Sequence, residues 1–262
     1  MPVTQLFMPA NPYALTDHTL LKSEEMLFLE REKILSITDD ECNEIQLATI
    51  GQHSNNMWKK QRTLRLTSST FGRICKSTSR TDHSRLAETM VSPQAFSGRA
   101  VGHGLQYESV AVQQFEAMYG ATEKCGLFVC KHMPWLSASP DRILSSDALL
   151  EVKCPFTAKD KPITPTTVPY LKEKGNSLNL DRTHPYFYQV QGQLLCAGRK
   201  KCYFCVYTHK ELKILEIVKD DEFISDMVPV LKNFFDNFFL PAVLQRYVYR
   251  GYDKYNWSDH LQ

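Results

Sequence analysis

The sequence lacks the features that mark membrane, secreted and repetitive proteins. No run of about 18 apolar residues occurs, so we expect neither a transmembrane helix nor a membrane partner. Residues 1–21 contain no basic segment followed by an apolar stretch, so we expect no secretory signal and an intracellular protein. The compartment, whether nucleus, mitochondrion or cytoplasm, stays open. Repeats and low-complexity segments are absent, which favours an ordinary globular protein.

Paired cysteine motifs are scarce, although the chain contains 8 cysteines. The Cys-x-x-Cys motif from Cys202 to Cys205 lies in the apolar run CYFCVY, where its side chains would point to opposite faces of a strand. No second such motif and no His-x-x-x-His pair follows, which argues against a zinc-binding interaction domain. We therefore expect reduced, structural thiols.

A strong excess of charge is also missing. The net charge is +2 and the isoelectric point is about 8.1, which is weak support for a polyanionic partner. Basic residues are nevertheless locally dense, and each cluster fits a solvated surface as well as an anion-binding one. The clusters are Lys59, Lys60, Arg62 and Arg65, then Arg73 and Lys76, then Arg199, Lys200 and Lys201.

The length of 262 residues suits one large α/β domain or two small ones. Thr38 and Glu41 form a capping box that starts a helix ending near Gly51. Residues 155–184 are predicted as a long loop with a short helix, a kind of segment that is often functional. The order of elements predicts a mixed central β-sheet flanked by α-helices. The other predicted helices are 22–35, 68–76, 104–119, 185–197 and 221–247, and the predicted strands are 126–130, 135–144, 148–154, 201–208 and 212–218.

Three domain segments are expected. Residues 1–54 would form a helical appendage, residues 55–250 the main domain, and residues 251–262 a tail.

Two carboxylates and a lysine stand among apolar residues in SPDRILSSDALLEVKCPF. In a strand, Glu151 and Lys153 share one face, and a hairpin through residues 145–148 would bring Asp141 beside Glu151. Two carboxylates that share a buried site repel each other, and a divalent cation such as Mg²⁺ or Mn²⁺ would relieve this repulsion. The pattern alone also fits structural ion pairs, Glu151 with Lys153 or Asp141 with Arg142.

A third carboxylate lies on a predicted amphipathic helix. Glu108 shares a face with Val112, Phe115 and Tyr119, which is an unusual position for an acid. Pairing with a neighbouring basic residue is the alternative explanation of this position.

These motifs resemble the signature of the PD-(D/E)xK nucleases. The resemblance is closer to the branch of phage lambda exonuclease, the alkaline exonucleases and the YqaJ-type viral recombinases, and it covers roughly residues 55–245. The long insert before Tyr186 resembles animal and large-virus members more than the short phage enzyme. The matching segments are WKKQRTLRLTSSTFG (58–72), GHGLQYESVAVQQFE (102–116), SASPD with LLEVKCPFTAKD, YFYQVQGQLLCAG (186–198) and CYFCVYTHK (202–210).

The resemblance implies a restriction-endonuclease-like core and a catalytic role for several residues. Two Mg²⁺ ions, for which Mn²⁺ could substitute, would be held by Asp141, Glu151, Glu108 and the main-chain carbonyl of Val152. Lys153 would orient and activate the attacking water. Gln189 would position that water or the scissile phosphate, although Gln189 alone also fits a polar residue at a helix edge.

The resemblance further implies contacts to DNA. Arg62, with Ser69 and Ser139, would bind the terminal 5′-phosphate, and Tyr186 would contact the DNA. A guanidinium group matches a phosphate monoester independently of any resemblance, because it donates two parallel hydrogen bonds. Taken singly, Arg62 also fits an ordinary surface charge.

The expected function is a Mg²⁺-dependent exonuclease that degrades linear duplex DNA from a 5′-phosphorylated end, for recombination, repair or DNA processing. Double-stranded DNA ends are the expected partner, a single-strand annealing protein is a further candidate, and the oligomeric state stays open. Two alternatives remain: an endonuclease of the same fold, or a non-catalytic DNA-binding module. The intact set Asp141, Glu151, Lys153 and Gln189 argues against the module.

Overall fold

The computed structural model describes residues 35–93, 98–175 and 177–246. The predicted helix over 22–35 lies almost entirely outside the described residues, and so do the predicted tail and the first part of the appendage. The helices are α1 Asp39–Ala48, α2 Asn56–Thr63, α3 Ser68–Cys75, α4 His83–Val91, α5 Arg99–Tyr119, α6 Pro185–Ala197, α7 Asp221–Phe234 and α8 Leu240–Leu244. The strands are β1 Leu66–Thr67, β2 Phe128–Val129, β3 Leu136–Ala138, β4 Arg142–Ile143, β5 Ala148–Lys153, β6 Leu171–Lys174, β7 Ser177–Leu180, β8 Lys201–Tyr207 and β9 Leu212–Val218.

A four-stranded mixed sheet forms the centre, in the order β4-β5-β8-β9. β5 pairs in parallel with β8 and antiparallel with β4, while β8 and β9 form an antiparallel pair. A smaller sheet has the order β1-β3-β2, and β6 and β7 form a separate hairpin. The predicted mixed α/β class is confirmed. Within the described residues, no helix has the length and apolarity needed to cross a membrane.

The two long helices beside the site pack on opposite faces of the central sheet. On one face, Val112 and Phe115 of α5 are buried with Leu150 of β5. On the other face, α6 contributes a second core together with Leu149. The cysteine pair of β8 divides in the same way, with Cys202 in the α6 core and Cys205 in the α5 core, as its strand position predicted. Side chains from both helices can therefore reach the ends of β5.

The predicted strand over residues 135–144 is interrupted. It forms β3 and β4, which belong to different sheets, and the chain breaks its pairing at Ser139–Asp141. Pro140 causes the break because it has no N–H group for a ladder hydrogen bond. Its carbonyl oxygen instead accepts hydrogen bonds from Gln52 Nε2 at 2.7 Å and Cys125 Sγ at 3.2 Å. Asp141 consequently stands at a fixed bend beside the central sheet.

Several elements differ from the sequence-based expectation. The segment 155–184 contains a 3₁₀ turn at Phe156–Ala158 and the hairpin β6–β7, because its buried residues Ile163, Val168 and Leu171 pack on the α6 core. The predicted helix over 221–247 is interrupted by a π-helical turn at Phe235–Phe239. Helices α2 and α4 were not predicted, and α5 begins five residues before the expected start.

Helix α6 packs unusually close to α3. A Cβ atom built on Gly72 would lie 2.5 Å from the Cα atom of Pro185, and one built on Gly192 would lie 2.5 Å from the ring of Phe71. Both distances are too short for a side-chain carbon, so the glycines permit this contact. The position of α6 against the smaller sheet and β5 depends on it.

We expect the substitution Gly72→Ala to destabilise the protein by about 1–3 kcal/mol, because the added methyl group would meet the backbone of Pro185. Thermal unfolding should show a melting temperature that falls by roughly 2–4 °C for each kcal/mol. Gly102→Ala is the matched control, since a Cβ atom there meets nothing within 4 Å. An unchanged melting temperature for Gly72→Ala would show that α3 and α6 can separate without cost.

Candidate active site

A pocket of about 310 Å³ opens at the carboxyl end of β5, between α5 and α6. It brings together four of the residues that the sequence singled out as catalytic, Glu108, Asp141, Glu151 and Lys153. Its wall also contains Val101, Gly104, Leu105, Val152, Cys154, Pro155, Tyr170 and Tyr186. Gln189 lies behind this wall and contacts it through Glu151 and Lys153.

Asp141 faces Glu151 across the β4–β5 pair. Arg142 pairs with Leu150, so the same register continued by one residue sets Asp141 against Glu151, as the hairpin predicted. The Oδ2 atom of Asp141 accepts a hydrogen bond from the main-chain N–H of Val152 at 2.6 Å. Burial and the nearby charges of Glu151 and Glu108 raise the pKa of Asp141 well above its ordinary value. The ionised form of Asp141 is therefore unfavourable in the metal-free site.

Glu151 is the most tightly held carboxylate of the site. It is 2% exposed, and its Oε1 atom accepts hydrogen bonds from Lys153 Nζ and Gln189 Nε2, each at 2.6 Å. Its Oε2 atom accepts a hydrogen bond from Gln193 Nε2 at 2.6 Å. Charge-assisted hydrogen bonds of this kind are strong and fix the orientation of the carboxylate.

Gln193 is the site residue that sequence reasoning missed. Gln189 and Gln193 are four residues apart on α6, so they lie on one face of the helix. Each donates a hydrogen bond to a different carboxylate oxygen of Glu151. This spacing was the available signal. The intervening Gln191 has a different partner set, because it donates to the carbonyl of Val218 and accepts from the N–H of Asp220.

Lys153 remains an ammonium group. Burial lowers the pKa of Lys153, but the charges of Glu151 and Asp141 outweigh burial and raise it above the ordinary value. Its Nζ atom also lies 4.5 Å from the centre of the Tyr186 ring, a cation–π contact, and donates to Gln189 Oε1 at 3.3 Å. The amine can therefore donate hydrogen bonds and stabilise negative charge, but it does not accept a proton near neutral pH.

Glu108 reaches the pocket from the opposite face of the sheet. Its carboxylate lies 4.0 Å from the Nη1 atom of Arg142, the pairing with a basic neighbour that the sequence left open. Burial raises the pKa of Glu108, the charge of Arg142 lowers it, and the charge of Glu151 raises it again, with a net rise. Arg142 donates to the main-chain oxygen of Asp141 at 2.9 Å, so it contacts the backbone of that residue.

The donor set of the pocket fits a hard divalent cation. Its acidic side chains, Glu108, Asp141 and Glu151, offer carboxylate oxygens, and oxygen ligands suit Mg²⁺ and Mn²⁺. Burial, followed by the charges of neighbouring carboxylates, raises the pKa values of Asp141 and Glu108, and a cation beside them would favour their ionised forms. In the described residues, no group of three or more His, Cys, Asp or Glu side chains is arranged to hold a metal. Asp141 accepts a hydrogen bond from Val152 N–H, and Glu151 accepts one from Lys153 Nζ.

The predicted phosphate-binding residues form a second cluster next to the carboxylates. The guanidinium of Arg62 stacks on Trp58, 4.3 Å from the ring centre, and its Nη2 atom lies 3.4 Å from Ser69 Oγ. The indole Nε1 atom of Trp58 donates to Ser139 Oγ at 2.8 Å, and Ser139 precedes Asp141 by two residues. Burial lowers the pKa of Arg62 to about 10, so the group stays charged at neutral pH.

Comparison with solved structures places this fold among alkaline exonucleases. The exonuclease LHK-Exo of Laribacter hongkongensis matches with a TM-score of 0.57 and 23% identity, over 75% of this chain and 97% of that one. A phage-related exonuclease of Haemophilus somnus 129PT matches with a TM-score of 0.51 and 13% identity, over 70% of this chain and 94% of that one. The protein SOX of KSHV, solved with RNA, matches with a TM-score of 0.53 and 12% identity, over 78% of this chain and 76% of that one.

The restriction-endonuclease-like fold that the motifs implied is thereby confirmed. The YqaJ-like viral recombinase domain matches residues 57–200, more than half of the chain. The match defines the class of the protein as a nuclease, a hydrolytic phosphodiesterase. The chain belongs to the YqaJ-like viral recombinase family, as the motif resemblance predicted. A search among curated proteins finds no match.

Proposed function

We propose that this protein is a divalent-metal-dependent DNA exonuclease that degrades linear duplex DNA in the 5′-to-3′ direction from a 5′-phosphorylated end. One observation carries the proposal: Ser139, which precedes Asp141 by two residues, accepts a hydrogen bond from Trp58, and Arg62 stacks on Trp58 and contacts Ser69. An anion site beside the cleavage site would hold a terminal phosphate a short distance from the bond that is cut. Such an arrangement favours a DNA end over an internal position, and it suits recombination, repair or DNA processing.

The metal ligands of the proposed enzyme would be Asp141, Glu151, Glu108 and the main-chain carbonyl of Val152. Bound Mg²⁺ or Mn²⁺, with two ions per site, would supply positive charge to the phosphate and lower the pKa of water. Gln189 and Gln193 hold Glu151 in its orientation for this role.

Lys153 supplies the fixed positive charge of the protein itself. Because it stays protonated, it would orient the attacking water by donating a hydrogen bond and would stabilise the charge that develops on the phosphate. Its neighbour Gln189 has an oxygen and an amide group that can position the water or the scissile phosphate. Tyr186 supports the ammonium group through its ring and faces the pocket, where it would contact the DNA.

Duplex DNA ends are the proposed substrate. LHK-Exo has been solved in complex with dAMP, and SOX has been solved in complexes with DNA and with RNA. Recognition through phosphates carries little base information, so sequence preference should be low and binding should weaken with salt. A strand-annealing partner and a homo-oligomer belong to the same proposal.

A digestion assay tests this function directly. Linear duplex DNA, 5′-phosphorylated and labelled at either end, is incubated with the protein and Mg²⁺ beside a closed circular duplex. We expect progressive loss of the 5′-phosphorylated strand from its 5′ end and an intact circle. Cutting of the circle would instead establish an endonuclease, and binding without any cutting would establish a non-catalytic module.

We expect the substitution Arg62→Ala to impair cleavage of 5′-phosphorylated ends by roughly 10- to 100-fold, the effect of about 1.5–3 kcal/mol for hydrogen bonds to a charged group. Substrates with a 5′-hydroxyl end should be affected far less, because they lack the phosphate that Arg62 would bind. Initial rates on the two substrates measure this selectivity.

Arg73→Ala is the control for Arg62→Ala, since Arg73 is an exposed arginine on α3. It should leave both rates unchanged. Equal losses for Arg62→Ala on both kinds of end would contradict the role of Arg62 as a phosphate anchor.

A further inference from the structure

Gln52 combines a left-handed backbone conformation with a long polar side chain. Its φ angle is +43°, and in the described part of the chain it is the one residue other than glycine with a positive φ. Such a conformation is unfavourable for a residue with a side chain. Gln52 follows Gly51 and opens the 3₁₀ turn Gln52–Ser54. Backbone strain of this kind persists where surrounding contacts impose it, and it is concentrated at functional sites.

The side-chain amide of Gln52 joins two main-chain carbonyl groups. Its Nε2 atom donates to the oxygen of Pro140 at 2.7 Å and to the oxygen of Cys125 at 3.2 Å. An amide nitrogen carries two hydrogens, so these two bonds use its full donor capacity. The Pro140 oxygen also accepts from Cys125 Sγ at 3.2 Å, but a thiol is a weak donor. Gln52 is therefore the stronger of the two donors to Pro140.

The Pro140 carbonyl group leads directly to a catalytic carboxylate. It belongs to the same planar peptide group as the main-chain nitrogen of Asp141, so its position sets where the backbone of Asp141 begins. Pro140 lies between β3 and β4 and belongs to neither strand. On the other side, the Asp141 carboxylate accepts a hydrogen bond from Val152 N–H at 2.6 Å. Asp141 is therefore held at its backbone through Gln52 and at its side chain through Val152.

The turn that carries Gln52 is anchored to the protein by the helix before it. Thr49, at the end of α1, is fully buried, and its Oγ1 atom accepts a hydrogen bond from Leu127 N–H at 2.7 Å. Cys42 and Ile45 of α1 lie in one buried cluster with Leu127. These contacts fix the end of α1, so the amide of Gln52 has a defined position.

We propose that Gln52 is a positioning residue of the catalytic pocket, which fixes the peptide group before Asp141 and thereby the orientation of the Asp141 carboxylate toward a divalent cation. This inference rests on the proposed nuclease function and on the metal-ligand role proposed for Asp141. It adds to the pocket a residue that precedes the matched residues 57–200 and lies in the expected N-terminal appendage. A glycine at position 52 would relieve the backbone strain but would lack the amide group.

The substitution Gln52→Met tests the proposal, because methionine has a similar length but no amide group. We expect kcat on 5′-phosphorylated linear duplex to fall about tenfold, as for the loss of a hydrogen bond that orients a catalytic group. KM should change little, because Arg62 would still bind the terminal phosphate. In DNA-free protein titrated with Mg²⁺ alone, the concentration that gives half of the rise in melting temperature should increase severalfold.

Gln52→Gly is the second variant, since glycine adopts a positive φ without strain and so protects the turn from misfolding. It also lacks the amide group, so it should show the same losses of kcat and of Mg²⁺ affinity. Gln113→Met, at an exposed glutamine of α5, is the matched control and should leave both quantities unchanged.

Wild-type kcat and Mg²⁺ affinity in either folded variant would overturn the positioning role while the nuclease function stands. A lower melting temperature in EDTA as the sole change would overturn it as well, because it would assign Gln52 to the fold alone. If the wild-type protein itself cuts no DNA, the nuclease function fails, but the Mg²⁺ titration still decides the role of Gln52. A severalfold loss of Mg²⁺ affinity in Gln52→Met would support it, and an unchanged affinity would overturn it.

Discussion

Replacement of Lys153 by alanine is expected to lower DNA cleavage by about 1,000-fold and to leave DNA binding nearly unchanged. The expected loss corresponds to about 4 kcal/mol of transition-state stabilisation. The reason is the position of the amine: it is only partly exposed, it stays protonated, and it donates to Glu151 and Gln189 at the wall of the pocket. Replacement of an exposed cation would lower cleavage much less, because solvent and salt would already screen its charge.

The structure of the site limits the damage that this substitution can do to the fold. Glu151 loses its counter-charge when the amine is removed, but both of its oxygens keep a hydrogen bond, from Gln189 and from Gln193. Single-turnover cleavage and duplex affinity, measured on the same preparation, separate chemistry from binding. The control is Lys159→Ala, which removes a half-exposed amine paired with Asp160. Wild-type cleavage by Lys153→Ala would contradict the proposed mechanism.

Replacement of Asp141 by asparagine should abolish cleavage and stabilise the metal-free protein. Asparagine is nearly isosteric, and its side-chain oxygen can still accept the hydrogen bond from Val152 N–H. It removes the negative charge that burial, Glu151 and Glu108 make unfavourable. We expect loss of cleavage by at least about 1,000-fold, the same order as for Lys153→Ala.

The direction of the stability change follows from the raised pKa of Asp141. An acid whose pKa is raised in the folded state stabilises that state below the unfolded pKa, and this contribution is lost as the pH rises through the folded pKa. At pH 8 in EDTA, the wild type has lost it, whereas Asp141→Asn has no such charge to desolvate. Its melting temperature should be higher, by roughly 2–4 °C for each kcal/mol relieved.

Titration with Mg²⁺ completes the test of Asp141. Added Mg²⁺ should raise the melting temperature of the wild type and should have little effect on Asp141→Asn, which has lost a ligand. Asp147→Asn is the control, because Asp147 is an exposed acid near the β4–β5 turn that pairs with Lys200. A lower melting temperature in EDTA together with an undiminished response to Mg²⁺ would show that Asp141 is a structural residue.

Local sequence rules accounted well for isolated elements. The capping box at Thr38 and Glu41 starts α1, and Pro185 and Gly198 bracket α6 at the predicted residues. The period of two in β5 placed Glu151 and Lys153 on one face, where they form the 2.6 Å ion pair. Each of these features depends on contacts between residues close in sequence, so the pattern alone predicts it.

The errors of the sequence analysis lie where distant segments decide the structure. The break at Pro140 depends on Gln52, which donates to it across 88 residues, and the hairpin β6–β7 depends on burial against the α6 core. Helix α2 was missed because its polar sequence shows no apolar periodicity, although Trp58 docks on Ser139. These contacts leave no signal within a window of ten or fifteen residues.

The sequence by itself determined the family, the identities of the acids and the lysine, and the order of the elements that carry them. Only the tertiary structure brought Glu108 from α5 and Gln193 from α6 to opposite sides of β5, and only it set Arg62 and Ser139 around Trp58. It also placed Tyr170, from the segment 155–184, in the pocket wall. The physical reason is that chemistry and local propensity are properties of neighbouring residues, whereas burial, charge crowding and unpaired polar atoms arise only when distant segments pack together.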